Sequence, residues 1–259
     1  MNHRDKSSDD LFEGSGLEHR PSLARRIVVI TLTLIAIAIA ILTCELATQG
    51  RANRPTPRST ESAAMLSTNR VTAHPLDIVF AGHSLTAAYF ATTSEQGYRA
   101  QVIAGLEASG AVDATGLGQP GRTISFIKDT TTIPVGTGVV ILEIGTNDVP
   151  RTSIEQISAD YDAVMTKIRI AASKATIICR GAWWDSSGRA IFDPVIRDSC
   201  AKRGATFLSL GSIYDMSANR GPAGAAVYDG IRDNFHPNDR GHRLIAAAIL
   251  NLFGIRSSK

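Results

Sequence analysis

The chain has 259 residues, of which 44% are hydrophobic and 20% are charged. This composition is typical of a folded globular protein, so it excludes a fully disordered chain, a collagen and a coiled coil. Lys and Arg number 27 against 24 Asp and Glu, and no basic stripe is visible, so we expect no nucleic-acid partner. The three cysteines form no CxxC pair, which argues against a zinc site of the common kind.

An uncharged apolar run, IVVITLTLIAIAIAILTC, occupies residues 27–44. As a helix with a rise of about 1.5 Å per residue it would span about 27 Å, close to the thickness of the hydrocarbon core. The run is hydrophobic on all sides, which favours a membrane helix or a signal sequence over a buried core helix. Its long leader and the lack of a small-x-small cleavage site favour a retained anchor.

The flanks of this run predict the membrane orientation and the domain boundaries. Two arginines directly precede the run and Glu45 follows it, which predicts that residues 1–26 are cytoplasmic and that the rest lies outside. Residues 45–74 are rich in Thr, Ser, Arg, Pro and Ala, as in a flexible linker. The remaining segment, residues 75–259, is long enough to form one folded domain. The sequence thus predicts a single-pass membrane protein with one folded domain.

From residue 75 onward, short apolar runs alternate with helical patterns. The runs typical of buried parallel strands are 76–81, 111–114, 139–144, 175–179 and 206–210. The helical patterns are 98–108, 154–172, 191–203, which opens with Asp193-Pro194, and 240–253. This alternation predicts an α/β fold, a three-layer α/β/α sandwich with a parallel five-stranded sheet covered on both faces.

Ligands bind at the carboxyl ends of the strands in such folds, so the residues that follow each strand are candidate site residues. Ser84 directly follows the first strand and could act as a nucleophile. His236 is a candidate base, and Asp233, three residues earlier, could orient its imidazole. The backbone N–H groups of Ser84 and Gly121 and the side-chain amide of Asn147 could stabilise an oxyanion.

Each of these residues taken alone has a structural alternative. A serine after a strand or an Asp before a helix is often a cap, and a glycine or asparagine after a strand often forms a turn. Asp233 also precedes a helix that is expected to start at Pro237. The conjunction of all the elements, in this order and at predicted strand ends, favours the catalytic interpretation.

The segments GHSLT, the turn at Gly121, GTND and DNFHP together resemble the SGNH hydrolase (GDSL-type esterase) family over about residues 76–253. The resemblance implies a flavodoxin-like three-layer fold and an enzyme that needs no metal or organic cofactor. It further implies a nucleophile, a base, its carboxylate partner and two oxyanion donors, which would be Ser84, His236, Asp233, Gly121 and Asn147.

The sequence departs from the family pattern just before the serine. His83 stands where the family usually has Asp, and a histidine there could change the pH profile or the local hydrogen bonding. The turn before Gly121 also lacks the asparagine that often opens this block. Neither departure removes a member of the expected triad.

Two further pairs of residues have two interpretations each. Trp183 and Trp184 follow a strand end and could form an aromatic wall for a sugar ring or an acyl chain. Alternatively, one tryptophan packs into the core and the other covers a loop. Cys179 and Cys200 could form a disulfide if the domain lies outside the cell, or they could be two buried free thiols.

The sequence therefore predicts a membrane-anchored serine hydrolase that cleaves carboxylic (acyl or acetyl) esters through an acyl-enzyme. We expect a small-molecule or envelope-linked ester as its substrate and the membrane as its partner through residues 27–44. One alternative is an O-acyltransferase that passes the acyl group to a sugar hydroxyl with the same triad. Another is a non-catalytic binding module on the same scaffold, against which the intact Ser, His and Asp argue.

Overall fold

The computed structural model describes residues 75–256. The predicted cytoplasmic tail (1–26), membrane anchor (27–44) and linker (45–74) lie outside the described residues. No helix within 75–256 is both long and apolar enough to cross a membrane.

Five parallel strands form the central sheet, in the order β2-β1-β3-β4-β5. Their bounds are Leu76–Gly82 (β1), Val112–Gly118 (β2), Val139–Glu143 (β3), Thr176–Arg180 (β4) and Thr206–Leu208 (β5). The predicted five-stranded parallel sheet is confirmed, and β2, the weakest of the runs in the sequence, is longer than predicted. Gly82 at the end of β1 pairs with Gly118 on one side and with Glu143 on the other.

Helices cover both faces of this sheet. They are Tyr98–Glu107 (α1), Ile124–Thr130 (α2), Ile154–Ala171 (α3), Ser186–Lys202 (α4), Gly211–Tyr214 (α5) and Asp239–Leu252 (α6). Because strand side chains alternate between faces, Val140 and Leu142 pack with α2, α3 and α4, whereas Val139 and Ile141 pack with α1 and α6. The three-layer prediction is thus confirmed.

Helix α4 begins earlier than predicted. The pattern at 191–203 suggested a start near Asp193-Pro194, but Pro194 lies inside the helix. The helix begins at Ser186, because the side chain of Asp185 caps it by accepting the N–H groups of Ser187 and Gly188 at 3.0 and 3.1 Å. An interior proline removes its own N–H from the helical ladder and crowds the carbonyl four residues earlier, yet Pro194 does not interrupt this helix, so the Asp193-Pro194 signal does not mark its start.

The last helix also starts differently from the prediction. Pro237 precedes the helix, and Asn238 is the N-cap, with its side-chain oxygen accepting the N–H of Gly241 at 3.1 Å. Several short elements were not predicted, among them helices α2 and α5 and an antiparallel hairpin of Ala226–Val227 (β6) and Gly230–Ile231 (β7). The hairpin directly precedes the segment that carries Asp233 and His236.

A disulfide joins Cys179 of β4 to Cys200 of α4, with the two Cα atoms 6.4 Å apart. Both cysteines are fully buried in the core beneath α3 and α4. Of the two alternatives that the sequence left open, the structure therefore has the bridge. It links α4 to the strand that it covers.

Candidate active site

Ser84 lies in a tight turn of residues 83–90, which begins where β1 ends at the carboxyl edge of the sheet. The side chain is only 3% exposed, and the Ser84 carbonyl accepts the N–H of Tyr89 at 2.9 Å. Ala88 and Phe90 have φ angles of 60° and 63°, a left-handed backbone that residues with side chains seldom adopt. Such strain is often kept where a site requires the geometry.

His236 and Asp233 lie in the connection before α6 and meet Ser84 in one hydrogen-bonded series. Nε2 of His236 is 3.0 Å from Oγ of Ser84, and Nδ1 is 2.8 Å from Oδ2 of Asp233. The other carboxylate oxygen of Asp233 accepts the N–H groups of Phe235 and His236, at 2.9 and 2.8 Å. The imidazole thus bridges the carboxylate and the hydroxyl.

Opposing effects act on the pKa of Asp233. Partial burial raises it, but the hydrogen bonds from the backbone and ring of His236 outweigh burial, so the pKa lies below its ordinary value. The carboxylate therefore stays ionised near neutral pH and keeps a negative charge beside Nδ1 of His236.

Three aromatic rings surround the imidazole of His236. The rings of Tyr89, Phe90 and Phe235 all meet it edge to face, with centroid distances of 5.3, 4.9 and 5.2 Å. Edge-to-face contacts of this kind restrict the orientation of a ring. Sequence reasoning did not identify this group of rings, because nothing in the local pattern shows that residues 89 and 90 fold back onto residue 236.

The two other predicted oxyanion donors lie on neighbouring segments. Gly121 has a φ of 73°, and its carbonyl accepts a hydrogen bond from Arg151 at 3.0 Å. The side-chain amide of Asn147 donates to the carbonyl of Arg122 at 2.9 Å, which connects it to the Gly121 turn. The backbone N–H groups of Ser84 and Gly121 donate to no other group within the described part of the chain.

Asp148 and Gly82 connect these segments to each other. The buried carboxylate of Asp148 accepts the N–H of Ile124 at 3.0 Å and the hydroxyl of Thr152 at 2.9 Å, and burial raises its pKa. The carbonyl of Gly82 accepts the N–H of Gln119 at 3.0 Å. The GTND segment, the Gly121 turn and the end of β1 are therefore held together at one edge of the sheet.

His83 points away from the solvent and into the protein. Its side chain is fully buried, and Nδ1 lies 4.0 Å from Oε1 of Glu143. Burial lowers the pKa of His83, although the nearby carboxylates of Glu143 and Asp148 act in the opposite direction. The ring is therefore neutral near pH 7, and the residue that departs from the family pattern is part of the buried layer beneath Ser84.

The two tryptophans occupy different environments. Trp183 is fully buried; its indole N–H donates to the carbonyl of Phe235 at 2.8 Å, and its ring packs edge to face on Tyr214. Trp183 has no exposed surface that a substrate could contact, so of the two interpretations, packing into the core applies to this residue. Trp184 is half-buried and packs edge to face against Phe235, with ring centroids 4.9 Å apart.

No group of His, Cys, Asp or Glu side chains in residues 75–256 has an arrangement that could hold a metal ion. The described residues instead place a serine hydroxyl, an imidazole and a carboxylate in series. This is the arrangement with which serine hydrolases activate a hydroxyl for attack on a carbonyl carbon.

Comparison with known protein families agrees with a serine hydrolase. The model of the GDSL-like lipase/acylhydrolase family matches residues 80–244, which is more than half of the chain, and the chain belongs to this family. The protein is therefore a GDSL-type serine esterase, a carboxylic ester hydrolase. No curated protein matches the chain in a sequence comparison.

Several solved structures share the fold. An acetylxylan esterase from Geobacillus stearothermophilus is similar at 19% identity, with a TM-score of 0.53 over 71% of this chain and 98% of that one. The psychrotrophic esterase EstA from Pseudoalteromonas sp. gives 16% identity and a TM-score of 0.52 over 68% and 96%. A family two carbohydrate esterase from Clostridium thermocellum gives 16% identity and a TM-score of 0.52 over 70% and 65%.

Proposed function

We propose that this protein is a membrane-anchored hydrolase of acyl or acetyl esters that works through Ser84, His236 and Asp233. The observation that carries the proposal is the continuous series of hydrogen bonds, 3.0 Å from Ser84 Oγ to His236 Nε2 and 2.8 Å from His236 Nδ1 to Asp233. Both distances lie within hydrogen-bonding range, as proton transfer between these groups requires.

In the acylation step, Ser84 Oγ attacks the ester carbonyl carbon while its proton passes to Nε2 of His236. Asp233 stabilises the imidazolium that forms and keeps Nδ1 protonated. When the tetrahedral intermediate collapses, the C–O bond to the alcohol breaks and the imidazolium gives its proton to the departing alkoxide. The acyl group remains on Ser84.

The negative charge on the carbonyl oxygen needs donors that are already in place. The backbone N–H groups of Ser84 and Gly121, which donate to no other group within residues 75–256, are two such donors. The Asn147 amide has two hydrogens, one of which is used on Arg122, so the second can serve as a third donor. Loss of one donor of this type commonly lowers kcat by about 10²–10³.

In the deacylation step, water replaces the alcohol. His236 takes a proton from the water, the hydroxide oxygen bonds to the acyl carbon, and the carboxylic acid leaves as the proton returns to Ser84 Oγ. An acyltransferase would differ only here, because a sugar hydroxyl would replace the water.

Two of the similar structures are named as esterases of carbohydrates, an acetylxylan esterase and a carbohydrate esterase in complex with cellohexaose. These names support an ester carried by a glycan as the substrate, small or linked to the cell envelope. The half-buried Trp184, next to Phe235, is a candidate surface for a sugar ring or an acyl chain.

The membrane part of the proposal rests on residues 27–44 and their flanks, with the N-terminus in the cytoplasm and the catalytic domain outside. The disulfide between Cys179 and Cys200 supports this placement, because disulfides persist in oxidising compartments. A C-terminal reporter that is active only in the cytoplasm should be inactive in this fusion, and an active reporter would contradict the orientation.

The catalytic test compares the full-length protein with its Ser84→Ala variant on p-nitrophenyl acetate and on longer esters. We expect Ser84→Ala to abolish turnover and Ser173→Ala, at an exposed serine before β4, to retain it. Equal activity of wild type and Ser84→Ala would refute the proposed nucleophile. Acetylation of an added sugar in place of release of acetate would identify the transferase instead.

A further inference from the structure

One oxygen of Glu143 collects three hydrogen bonds from the turn that carries Ser84. Oε2 accepts the N–H of His83 at 2.9 Å, the N–H of Thr86 at 3.2 Å and the hydroxyl of Thr86 at 3.1 Å. These donors stand on both sides of Ser84 in the chain. The carboxylate therefore holds the turn from beneath, at a residue 2% exposed.

A second layer fixes Thr86 in turn. The Thr86 hydroxyl donates its only hydrogen to Glu143, so in its 2.7 Å contact with the Tyr98 hydroxyl it must accept. Burial raises the pKa of Tyr98, which keeps that hydroxyl protonated as a donor. Each of these hydrogen bonds therefore has a single direction: the Tyr98 hydroxyl donates to Thr86, and the Thr86 hydroxyl donates to Glu143.

Arg180 supplies positive charge to the same buried layer. It is fully buried, and its guanidinium lies 4.1 Å from the ring centroid of Tyr98. Since β3 and β4 pair Leu142 with Cys179, the next residues along the two strands, Glu143 and Arg180, are neighbours on one face of the sheet. No guanidinium nitrogen of Arg180 has a hydrogen-bond partner among the described residues.

The absence of a side chain at Gly82, the last residue of β1, leaves room for Glu143. A Cβ on Gly82 would lie 2.8 Å from both the Cβ and the carbonyl oxygen of Glu143, closer than real contacts allow. Glycine at position 82 thus lets β3 approach the turn closely enough for Glu143 to reach both His83 and Thr86.

We propose that Glu143 is a positioning residue for the nucleophile, holding the Ser84 turn so that Oγ stays within hydrogen-bonding distance of His236. The inference rests on the proposed function of Ser84, and it assigns to Glu143 a part in that reaction although the residue touches no substrate. An error of 1 Å in the placement of a reacting group can lower the rate by about 10²-fold.

The negative charge matters because three donors converge on one oxygen. Hydrogen bonds to an ionised acceptor are shorter and about twice as strong as bonds between neutral groups. A glutamine in this place would keep the volume, but its NH₂ group would place two hydrogens in a layer that already holds the Arg180 guanidinium.

The test measures kcat and KM of the full-length Glu143→Gln variant on p-nitrophenyl acetate, per active site titrated with an organophosphonate. We expect kcat to fall by about 10- to 100-fold with KM changed by less than about twofold, since binding groups are untouched. Glu107→Gln, at an exposed glutamate of α1, is the matched control. A purely structural role would reduce the number of titratable sites but not the rate at each site.

Variants of Thr86 test the same proposal while the Glu143 carboxylate stays in place. They also supply the test if the Glu143→Gln variant does not fold. Thr86→Val removes the hydroxyl and should lower kcat, whereas Thr86→Ser keeps the hydroxyl and should restore it. Glu143→Gln with unchanged kcat per site, or Thr86→Val equal to wild type, would overturn the proposal. An inactive wild type would instead contradict the proposed function, so the two failures are distinguishable.

Discussion

The Asp233→Asn substitution would change the protonation of His236 while keeping the shape of the site. In the structure one oxygen of Asp233 accepts two backbone N–H groups, at 2.9 and 2.8 Å. Only the asparagine oxygen can accept these bonds, so the asparagine NH₂ group must take the position of Oδ2, 2.8 Å from Nδ1 of His236. An NH₂ group donates, which leaves Nδ1 without its hydrogen.

The imidazole then carries its hydrogen on Nε2, 3.0 Å from Ser84 Oγ. A protonated Nε2 cannot accept the serine proton, so acylation loses its base. The same exchange in a serine protease lowers kcat by about 10⁴, which corresponds to about 5 kcal/mol in the activation barrier. The free energy of unfolding should change by less than about 1 kcal/mol, because both backbone bonds persist and the Asp233 side chain is 42% exposed.

The assay is the initial rate of p-nitrophenyl acetate hydrolysis near neutral pH, with urea unfolding in parallel. Asp229→Asn, at an exposed residue of the β6–β7 turn, is the matched control and should retain wild-type turnover. The Ser84→Ala variant sets the background rate. An Asp233→Asn variant within about tenfold of wild type would refute the argument from the tautomer of His236.

Two further predictions concern stability. Burial lowers the pKa of His242 to about 4, from 6.5, so below pH 6.5 the unfolded chain binds a proton that the folded protein does not. The stability present above pH 6.5 is thus lost as the pH falls toward 4, by about 2 kcal/mol at pH 5. Between pH 7 and pH 5, His242→Gln should lose about 2 kcal/mol less than wild type in urea unfolding; equal losses would contradict this. Asp185→Ala removes the cap of α4 and should cost about 1 kcal/mol with kcat unchanged, whereas Asp198→Ala, exposed on the same helix, should unfold like wild type. No loss in Asp185→Ala would show that the cap does not stabilise α4.

The sequence by itself determined the features that depend on neighbours in the chain. Short apolar runs located the five strands, because a buried parallel strand needs a nearly continuous apolar segment. The spacing of Ile157, Tyr161, Val164 and Ile168 located α3 for a similar reason, since one helix face must be apolar. Ser84 was predicted to lie at the ligand-binding edge because it directly follows β1, and Asp233 and His236 were predicted to act together because their three-residue spacing lets the carboxylate reach the imidazole.

Only the tertiary structure decided the contacts between residues far apart in the chain. Glu143 is 60 residues from His83, and no local period shows that its carboxylate lies beneath the nucleophile turn. The burial of Trp183 and the contact of Phe90 with His236 likewise depend on how separate segments pack. The start of α4 was mispredicted because the capping bonds of Asp185 outweigh the proline signal at Pro194. Local propensity selects the elements, but packing and hydrogen bonding between them fix which side chains face the site.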